Sequence, residues 1–265
     1  MLSKAQTLIW YARHPAFWAQ AVALARCAAT NDGGHAGERP AATAWAAERS
    51  LPTRDILVAV GLLDGAAEWP RLSQTEIDEA TARGARSAVE MGGPGDLELL
   101  HAAIALARPE RVVETGVAYG WSSWAILRGL LVAGRGRLVS VDMPYAKRNN
   151  EAFVGIVVPP DLAADWTLIR EPDRNGLRKA RRQLGGAIDL CHYDSDKSYQ
   201  GRMFAYPLLW QALRPGGIFI SDDIQDNLAF RDFFAAAGVP VHVTSSDGKF
   251  VGVARKPEPA GAGLR

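Results

Sequence analysis

The stretch Val112-Val-Glu-Thr-Gly-Val-Ala-Tyr-Gly-Trp-Ser-Ser123 is the most informative part of the sequence, because a short predicted strand leads through it into a helix. Gly116 and Gly120 permit a sharp turn and a close approach of the backbone to a ligand. Such a turn lies at the carboxyl end of a strand, where doubly wound α/β sheets bind their ligands. Its G-x-x-x-G spacing differs from the G-x-G-x-x-G of pyrophosphate sites, which disfavours a nicotinamide or flavin cofactor. The stretch therefore predicts a ligand-binding turn, with an ordinary strand-to-helix turn as the alternative.

Short apolar runs alternate with helical patterns along the chain that follows a Gly/Pro break at residues 90–95. The runs predicted as strands are residues 111–115, 136–142, 166–170, 188–193, 217–221, 239–244 and 249–253. This alternation indicates βαβ units, and hence an α/β fold with a Rossmann-like, mainly parallel, seven-stranded sheet. The last two runs lie too close together for a crossover helix and predict a C-terminal antiparallel hairpin.

The region before the break is rich in Ala and Trp and has helical patterns. The predicted helices are residues 16–29, 41–49, 52–63 and 74–91. The chain thus divides into a helical N-terminal extension (1–93), an α/β domain (94–255) and a disordered tail (256–265). The extension carries the aromatic residues Trp10, Tyr11, Trp18, Trp45 and Trp69. They favour helix packing or the face of a homodimer over a lid or a wall of a substrate site.

Composition and charge narrow the function classes. The 265 residues are 48% hydrophobic, enough for one sizeable α/β core with an appendage. A formal net charge of +1 provides no strong field for nucleic acid or an anionic membrane. No apolar run reaches the length of a membrane span. Cys27 and Cys191 form no C-x-x-C motif, which indicates free thiols in a reducing cytoplasm. These features predict a cytoplasmic protein that acts on small molecules.

Aspartates follow several of the predicted strands. Asp142 closes the second strand, where an acid accepts the ribose hydroxyls of a nucleoside or caps a turn. Asp194 follows the fourth strand, and Asp222 and Asp223 follow the fifth. Because clustered carboxylates repel one another unless a cation neutralises them, this rim predicts a site for Mg²⁺, with Mn²⁺ as the second choice. A solvated acidic rim is the alternative.

Taken together, these motifs resemble the class I S-adenosylmethionine-dependent methyltransferases over about residues 96–254. The resemblance is strongest to small-molecule O-methyltransferases of the catechol type and to their bacterial relatives in natural-product and polysaccharide pathways. The E-T-G-x-x-x-G-x-S run is similar to the family's first motif, and Asp194-Ser-Asp-Lys-Ser-Tyr199 to its D-G-D-H-S-Y. Leu213-Arg-Pro-Gly-Gly217 followed by Ser221-Asp-Asp223 is similar to the L-x-P-G-G strand with its terminal acids. The resemblance implies S-adenosylmethionine as the cofactor.

The resemblance also implies roles for individual residues. Glu114 and Gly116 would line the methionine part of the cofactor, and Ser122 would bind its carboxylate. Asp142 would hold the ribose, and the segment 170–173 would border the adenine. The full set implied to bind S-adenosylmethionine is Glu114, Gly116, Tyr119, Gly120, Ser122, Asp142, Asp173 and Asp194. The set implied to bind the metal is Asp194, Asp222 and Asp223.

Lys197 lies three residues after Asp194, where the resemblance implies the lysine that acts as the base in catechol-type enzymes. A free lysine has a pKa of about 10.4, so this role needs a lowered pKa. The alternative is a lysine paired with Asp194 or Asp196. The sequence departs from the family pattern in two respects. Asp223 replaces the usual Asn of the metal set, and Ser195 and Lys197 differ from the D-G-D-H pattern.

The sequence predicts an enzyme that transfers a methyl group from S-adenosylmethionine to a hydroxyl of a small molecule, such as a phenol, a sugar or a polyketide. A divalent cation would lower the pKa of the hydroxyl, and Lys197, beside Asp194, would take its proton. Two alternatives stay open: a metal-independent methyltransferase of the same fold, and a non-catalytic nucleoside-binding module. The missing G-x-G-x-x-G disfavours an NAD-dependent oxidoreductase.

Overall fold

A single mixed sheet organises the chain. The computed structural model describes residues 4–144 and 150–258, and within them seven strands form this sheet. The strands are β1 (Arg111–Thr115), β2 (Arg137–Val141), β3 (Trp166–Ile169), β4 (Ile188–Tyr193), β5 (Leu213–Ser221), β6 (Val241–Ser246) and β7 (Lys249–Arg255). Their order across the sheet is β3-β2-β1-β4-β5-β7-β6.

Strands β1 to β5 run parallel, and β7 pairs antiparallel with both β5 and β6. Strands β1, β2 and β4 are almost wholly buried because helices cover both faces of the sheet. β6 joins β7 through Asp247 and Gly248, whose φ angles of 50° and 76° suit a two-residue hairpin turn. The predicted fold class is confirmed: a Rossmann-like, mainly parallel sheet of seven strands with a C-terminal antiparallel hairpin.

Helices cover both faces of the sheet and build an N-terminal extension. They are α1 (Lys4–Arg13), α2 (Trp18–Ala29), α3 (Arg39–Glu48), α4 (Thr53–Ala59), α5 (Gln74–Gly84), α6 (Leu97–Ala107), α7 (Trp121–Ala133), α8 (Asp173–Gln183), α9 (Tyr199–Ala212) and α10 (Ala229–Ala236). Helices α6 and α7 pack on one face, against Val112 and Leu190. Helices α8, α9 and α10 pack on the other, against Val113 and Cys191. Successive side chains of each strand therefore enter different cores.

Side-chain chemistry sets both ends of α5. At its start, Ser73 forms a capping box with Glu76. The helix ends at Gly84, so the prediction that it continues to residue 91 was wrong. The reason is local: Ser87 Oγ donates to Val89 O (2.8 Å) and accepts from Val89 N (3.2 Å), which favours a turn over another helical turn.

Other predicted bounds differ by a few residues. The helix predicted at residues 52–63 ends at Ala59, and Gly61 then turns the chain with a φ of 67°. β6 begins at Val241 rather than at residue 239, because Pro240 has no N–H to donate to a neighbouring strand. β5 is longer than predicted and begins at Leu213, with a register shift against β4 before the main ladder.

The chain beyond β7 is fixed at its start. Lys256 N donates to Gly217 O (2.8 Å), and its ammonium donates to Trp210 O (2.7 Å) and Leu213 O (2.6 Å). These bonds carry order past residue 255, where the predicted disordered tail begins. The last part of that tail, residues 259–265, lies outside the described residues.

The N-terminal extension is anchored to the sheet domain through Asp32. Its buried carboxylate accepts from Tyr199 N (2.5 Å) and Gln200 N (3.1 Å) and so caps the start of α9. N-terminal to this anchor, α1 and α2 expose Leu8 (71%) and Trp18 (57%). The homodimer through this region stays a prediction. Among the helices of the described residues, none has the length and apolarity needed to cross a membrane.

Candidate active site

A cavity of about 640 Å³ opens where the carboxyl ends of β1, β2 and β4 meet. Its wall includes the predicted site residues Gly116, Asp142, Asp173, Asp194 and Lys197. Strands β1 and β4 are neighbours in the sheet, and the strand order reverses between them. Such a switch point leaves a crevice in which open α/β sheets bind ligands.

The turn after β1 brings backbone to the edge of this cavity. Gly116 and Gly120 have φ angles of 80° and 85°, which favour glycine. A Cβ at Gly116 would overlap the carbonyl oxygen of Asp194, and one at Gly120 would lie 2.9 Å from the Cα of Gly155. Both predicted glycines are therefore fixed by conformation and by close packing, and Gly116 also lines the cavity.

Asp142 lies at the end of β2 with its carboxylate buried in the cavity wall. Oδ1 accepts from Val117 N (3.2 Å), and Oδ2 contacts the Arg170 guanidinium closely. Arg170 also donates to Glu151 Oε1 (2.6 Å), which holds it from the far side. Burial raises the pKa of Asp142, and Arg170 and the Val117 N–H only partly oppose this. These contacts fix the position of the Asp142 carboxylate in the cavity wall.

Asp173 begins α8 on the neighbouring part of the wall, after β3. Ser195 Oγ donates to Asp173 Oδ2 (2.5 Å) and links the loop after β3 to the loop after β4. Burial raises the pKa of Asp173 to about 7, although the serine hydrogen bond lowers it.

Lys197 lies between two of the predicted metal ligands. Its ammonium contacts Asp223 Oδ2 closely and lies 3.5 Å from Asp194 Oδ1. Burial alone would lower the pKa of Lys197, but Asp194 and Asp223 raise it further than burial lowers it. The pKa of Asp194 is raised to about 7 by burial and by Asp222, with Lys197 opposing. Lys197 is thus a fixed cation in this structure, which agrees with the ion-pair alternative.

Glu114 and Ser122 lie behind the cavity wall. Glu114 is fully buried and accepts from Ser122 Oγ (2.6 Å), Ser123 Oγ (2.5 Å) and Ser140 Oγ (2.6 Å). These bonds join β1 and β2 to the first turn of α7. The roles implied by resemblance, methionine contact for Glu114 and carboxylate binding for Ser122, stay predictions, because the two side chains bind each other here.

Tyr119 also acts from behind the wall. Its hydroxyl donates to Val89 O and accepts from Met91 N (3.3 Å). Met91 lines the cavity, so Tyr119 fixes the segment that carries it. A direct contact of Tyr119 with the cofactor stays a prediction.

Solved methyltransferases share this fold. The O-methyltransferase from Bacillus cereus in complex with SAH is 16% identical; the match spans 70% of this chain and 92% of that one, with a TM-score of 0.55. A putative O-methyltransferase from Klebsiella pneumoniae is 16% identical over 81% of this chain and 100% of that one, with a TM-score of 0.56. The O-methyltransferase TomG from Streptomyces achromogenes is 15% identical over 80% of this chain and 98% of that one, with a TM-score of 0.51. No curated protein matches the sequence.

A family comparison identifies the domain. Residues 113–224 match the model of a family described as a methyltransferase domain. Residues 113–224 therefore form a methyltransferase domain, and its fold is that of the solved O-methyltransferases. The matched residues run from β1 through the glycine turn and Asp142 to the acids after β5, which are the motifs that carried the resemblance. That resemblance is confirmed.

The metal implied for this methyltransferase domain does not fit the residues present. One oxygen of Asp223 contacts Lys197, and the other accepts from Gln225 Nε2 (3.0 Å). Asp222 Oδ1 accepts from Asp223 N (3.1 Å). Within residues 4–144 and 150–258, no group of three His, Cys, Asp or Glu side chains is arranged to hold a metal ion. The metal set Asp194, Asp222 and Asp223 stays a prediction that this structure does not support, because the Lys197 ammonium contacts Asp223 and lies beside Asp194.

Sequence reasoning missed the part of the wall that comes from the N-terminal extension. Thr7, Tyr11, Gln20 and Leu24 of α1 and α2 line the cavity of the methyltransferase domain. Tyr11 is one of several aromatic residues of the extension, and nothing in the sequence pattern distinguishes it from residues that pack helices. Arg170 belongs to the segment predicted to border the adenine, but its contact with Asp142 was not predicted, although its position directly after the third strand was a usable signal.

Proposed function

We propose that this domain transfers a methyl group from S-adenosylmethionine to a hydroxyl of a small molecule. The observation that carries the proposal is the juxtaposition of the Gly116 turn and the Asp142 carboxylate in one cavity wall. The Bacillus cereus O-methyltransferase was solved with SAH and TomG with SAM, and both support this reading of the shared fold.

The charges of the cavity suit this cofactor. S-adenosylmethionine carries a sulfonium and an ammonium, and Asp142, Asp173, Asp194 and Asp196 supply carboxylates to the wall. In the proposed complex, Asp142 accepts the ribose hydroxyls, because its carboxylate is held in the cavity wall by Val117 N and Arg170. The Gly116 backbone borders the methionine part, and Asp173 borders the adenine.

The proposed reaction is a single displacement. The acceptor oxygen forms a bond to the methyl carbon while the carbon–sulfur bond breaks and its electron pair stays on sulfur, giving S-adenosylhomocysteine. The hydroxyl proton goes to the Asp194 carboxylate. Asp194 Oδ1 is buried, accepts no hydrogen bond from the described residues, and belongs to a carboxyl with a pKa of about 7. A base of that pKa suits proton transfer near neutrality.

The acceptor side of the cavity has apolar walls. Tyr11 and Leu24 of the extension and Phe204 of α9 line it, and the Arg174 guanidinium lies 4.1 Å from the centre of the Phe204 ring. These side chains favour an acceptor with an apolar face, such as a phenol or a polyketide, over a bare sugar.

Calorimetric titration with S-adenosylhomocysteine tests the proposal without knowledge of the acceptor. We expect micromolar binding by the wild type and about tenfold to hundredfold weaker binding by Asp142→Ala, because hydrogen bonds to a charged group are lost. Asp161→Ala is the matched control, since Asp161 is an exposed aspartate outside the cavity wall.

Two outcomes contradict the proposal. Absence of S-adenosylhomocysteine binding, or tighter binding of NAD in a parallel titration, excludes the cofactor assignment. Binding without a methylated product from any phenol, sugar or polyketide in an acceptor screen favours the non-catalytic nucleoside-binding module.

A further inference from the structure

The loop after β4 fixes Lys197 at the edge of the cavity. Asn227 Nδ2 donates to Lys197 O (2.8 Å), and Asp196 Oδ1 accepts from Ser198 N (3.0 Å) in a tight turn. The Lys197 side chain is 45% exposed, and it lines the cavity together with Asp194. Its backbone is therefore held, while its ammonium faces both the acids and the cavity.

The carboxylate of Asp223, which pairs with Lys197, is also fixed in position. Asp223 has a φ of 51°, and its carbonyl accepts from the buried Arg202 guanidinium (2.7 Å). Its N–H donates to Asp222 Oδ1, and its Oδ1 accepts from Gln225 Nε2. The remaining oxygen, Oδ2, is directed to Lys197. A divalent cation would have to displace the ammonium from this oxygen before it could bind Asp223.

We propose that the Lys197 ammonium is the resident cation of this active site, in the place where the family resemblance implies a divalent metal, and that it holds the acceptor oxygen. The part about the acceptor rests on the proposed methyl transfer. An ammonium has three N–H donors. Asp223 Oδ2 accepts from one of them. Asp194 Oδ1 lies 3.5 Å from the ammonium and accepts no hydrogen bond from the described residues, so the other donors can reach an oxygen in the cavity.

This arrangement assigns different tasks to Lys197 and Asp194. The ammonium keeps its proton and stabilises negative charge that develops on the acceptor oxygen. The Asp194 carboxylate takes the hydroxyl proton. Lys197 thereby supplies the electrostatic help that a metal would give.

Electron paramagnetic resonance of Mn²⁺ tests the proposal independently of the acceptor. Aqueous Mn²⁺ gives a signal that falls when the ion binds protein. With S-adenosylhomocysteine present, we expect the wild type and Lys197→Arg to leave the signal of sub-millimolar Mn²⁺ unchanged. Lys197→Met should lower it in proportion to protein, because removal of the ammonium leaves Asp194, Asp222 and Asp223 without a cation.

Lys179→Met is the matched control, since it removes a lysine that pairs with Glu171 and does not line the cavity. Circular dichroism shows whether each variant is folded. Binding of Mn²⁺ by the wild type overturns the proposal, and so does a folded Lys197→Met that binds no Mn²⁺. Failure of S-adenosylhomocysteine to bind in the same samples contradicts the proposed function instead, and the Mn²⁺ result remains readable.

Discussion

At the scale of single residues, a buried carboxylate organises the floor of the site. Glu114 accepts hydrogen bonds from three serine hydroxyls that belong to β2 and α7. The buried His192 ring also lies near it, with Nδ1 3.7 Å from Glu114 Oε1. Burial lowers the pKa of His192, but Glu114 and nearby aspartates raise it further. The network therefore holds the start of α7 beside the glycine turn.

Replacing Glu114 should destabilise the fold strongly. We expect Glu114→Ala to lower the free energy of unfolding by about 3–5 kcal/mol, because it leaves three hydroxyls and a histidine without their buried partner. Glu114→Gln should cost less, since an amide oxygen still accepts. Urea denaturation measures the change.

The control for this prediction is Glu110→Ala, which removes a side chain that is 63% exposed and should change stability by about 0.5 kcal/mol or less. An unchanged stability of Glu114→Ala, together with a large loss of S-adenosylhomocysteine affinity, would show that Glu114 contacts the cofactor directly.

At the scale of elements, α7 has a left-handed glycine conformation at each end, with very different surroundings. Gly116 and Gly120 precede the helix and pack against other backbone, whereas Gly134 follows it with a φ of 70° and open space around it. The amino-terminal end of α7 packs against the loop after β4 and against Gly155. At the carboxyl-terminal end, a side chain at Gly134 would contact no other part of the described structure.

This difference predicts unequal effects of the same substitution. Gly116→Ala should abolish S-adenosylhomocysteine binding and lower the melting temperature strongly, because its Cβ would overlap Asp194 O. Gly134→Ala should cost only the strain of a left-handed residue, about 1 kcal/mol, and leave binding unchanged. Thermal unfolding and calorimetric titration measure both. Equal effects of the two variants would contradict the close packing around Gly116.

At the scale of the whole molecule, acids gather near the cavity although the chain is almost neutral. The net charge is +1. Burial raises the pKa of Asp96 to about 6, and those of Asp173 and Asp194 to about 7. Without a ligand, the ionised forms of these buried carboxyls lower the stability of the folded domain.

This cost predicts a dependence of stability on pH. A carboxyl with a raised pKa in the folded state binds a proton there that it does not bind in the unfolded state, so stability falls as pH rises through the folded pKa. We expect the ligand-free protein to lose about 1 kcal/mol of stability between about pH 6.5 and 8. The lowered pKa values of His101 and His242 oppose this in the lower part of that range, because the unfolded histidines lose their protons around pH 6.5.

Chemical denaturation at the two pH values measures the effect. Asp173→Asn should remove part of the pH dependence, whereas Asp161→Asn, at an exposed position, should leave it unchanged. Stability that rises with pH over this range in the wild type would show that these carboxyls are already ionised in the folded protein.

The sequence by itself determined the sheet, the C-terminal hairpin and the glycine turn. Short runs with apolar residues, such as β1 and β4, and turn residues such as Gly116 and Gly248, act through their own backbone preferences and their near neighbours. The same local logic placed Asp142 and Asp194 at strand ends and Asp173 after the third strand, and parallel strands bring them to one cavity.

Only the tertiary structure decided which groups these acids meet. The same sequence spacing suits a metal or a lysine beside Asp223, and the contact with Lys197 depends on how two loops pack. The place of Tyr11 in the cavity wall likewise depends on anchors far along the chain, such as Asp32 on α9. Partners of charged side chains are set by distances between segments remote in sequence, and local patterns carry no information about those distances.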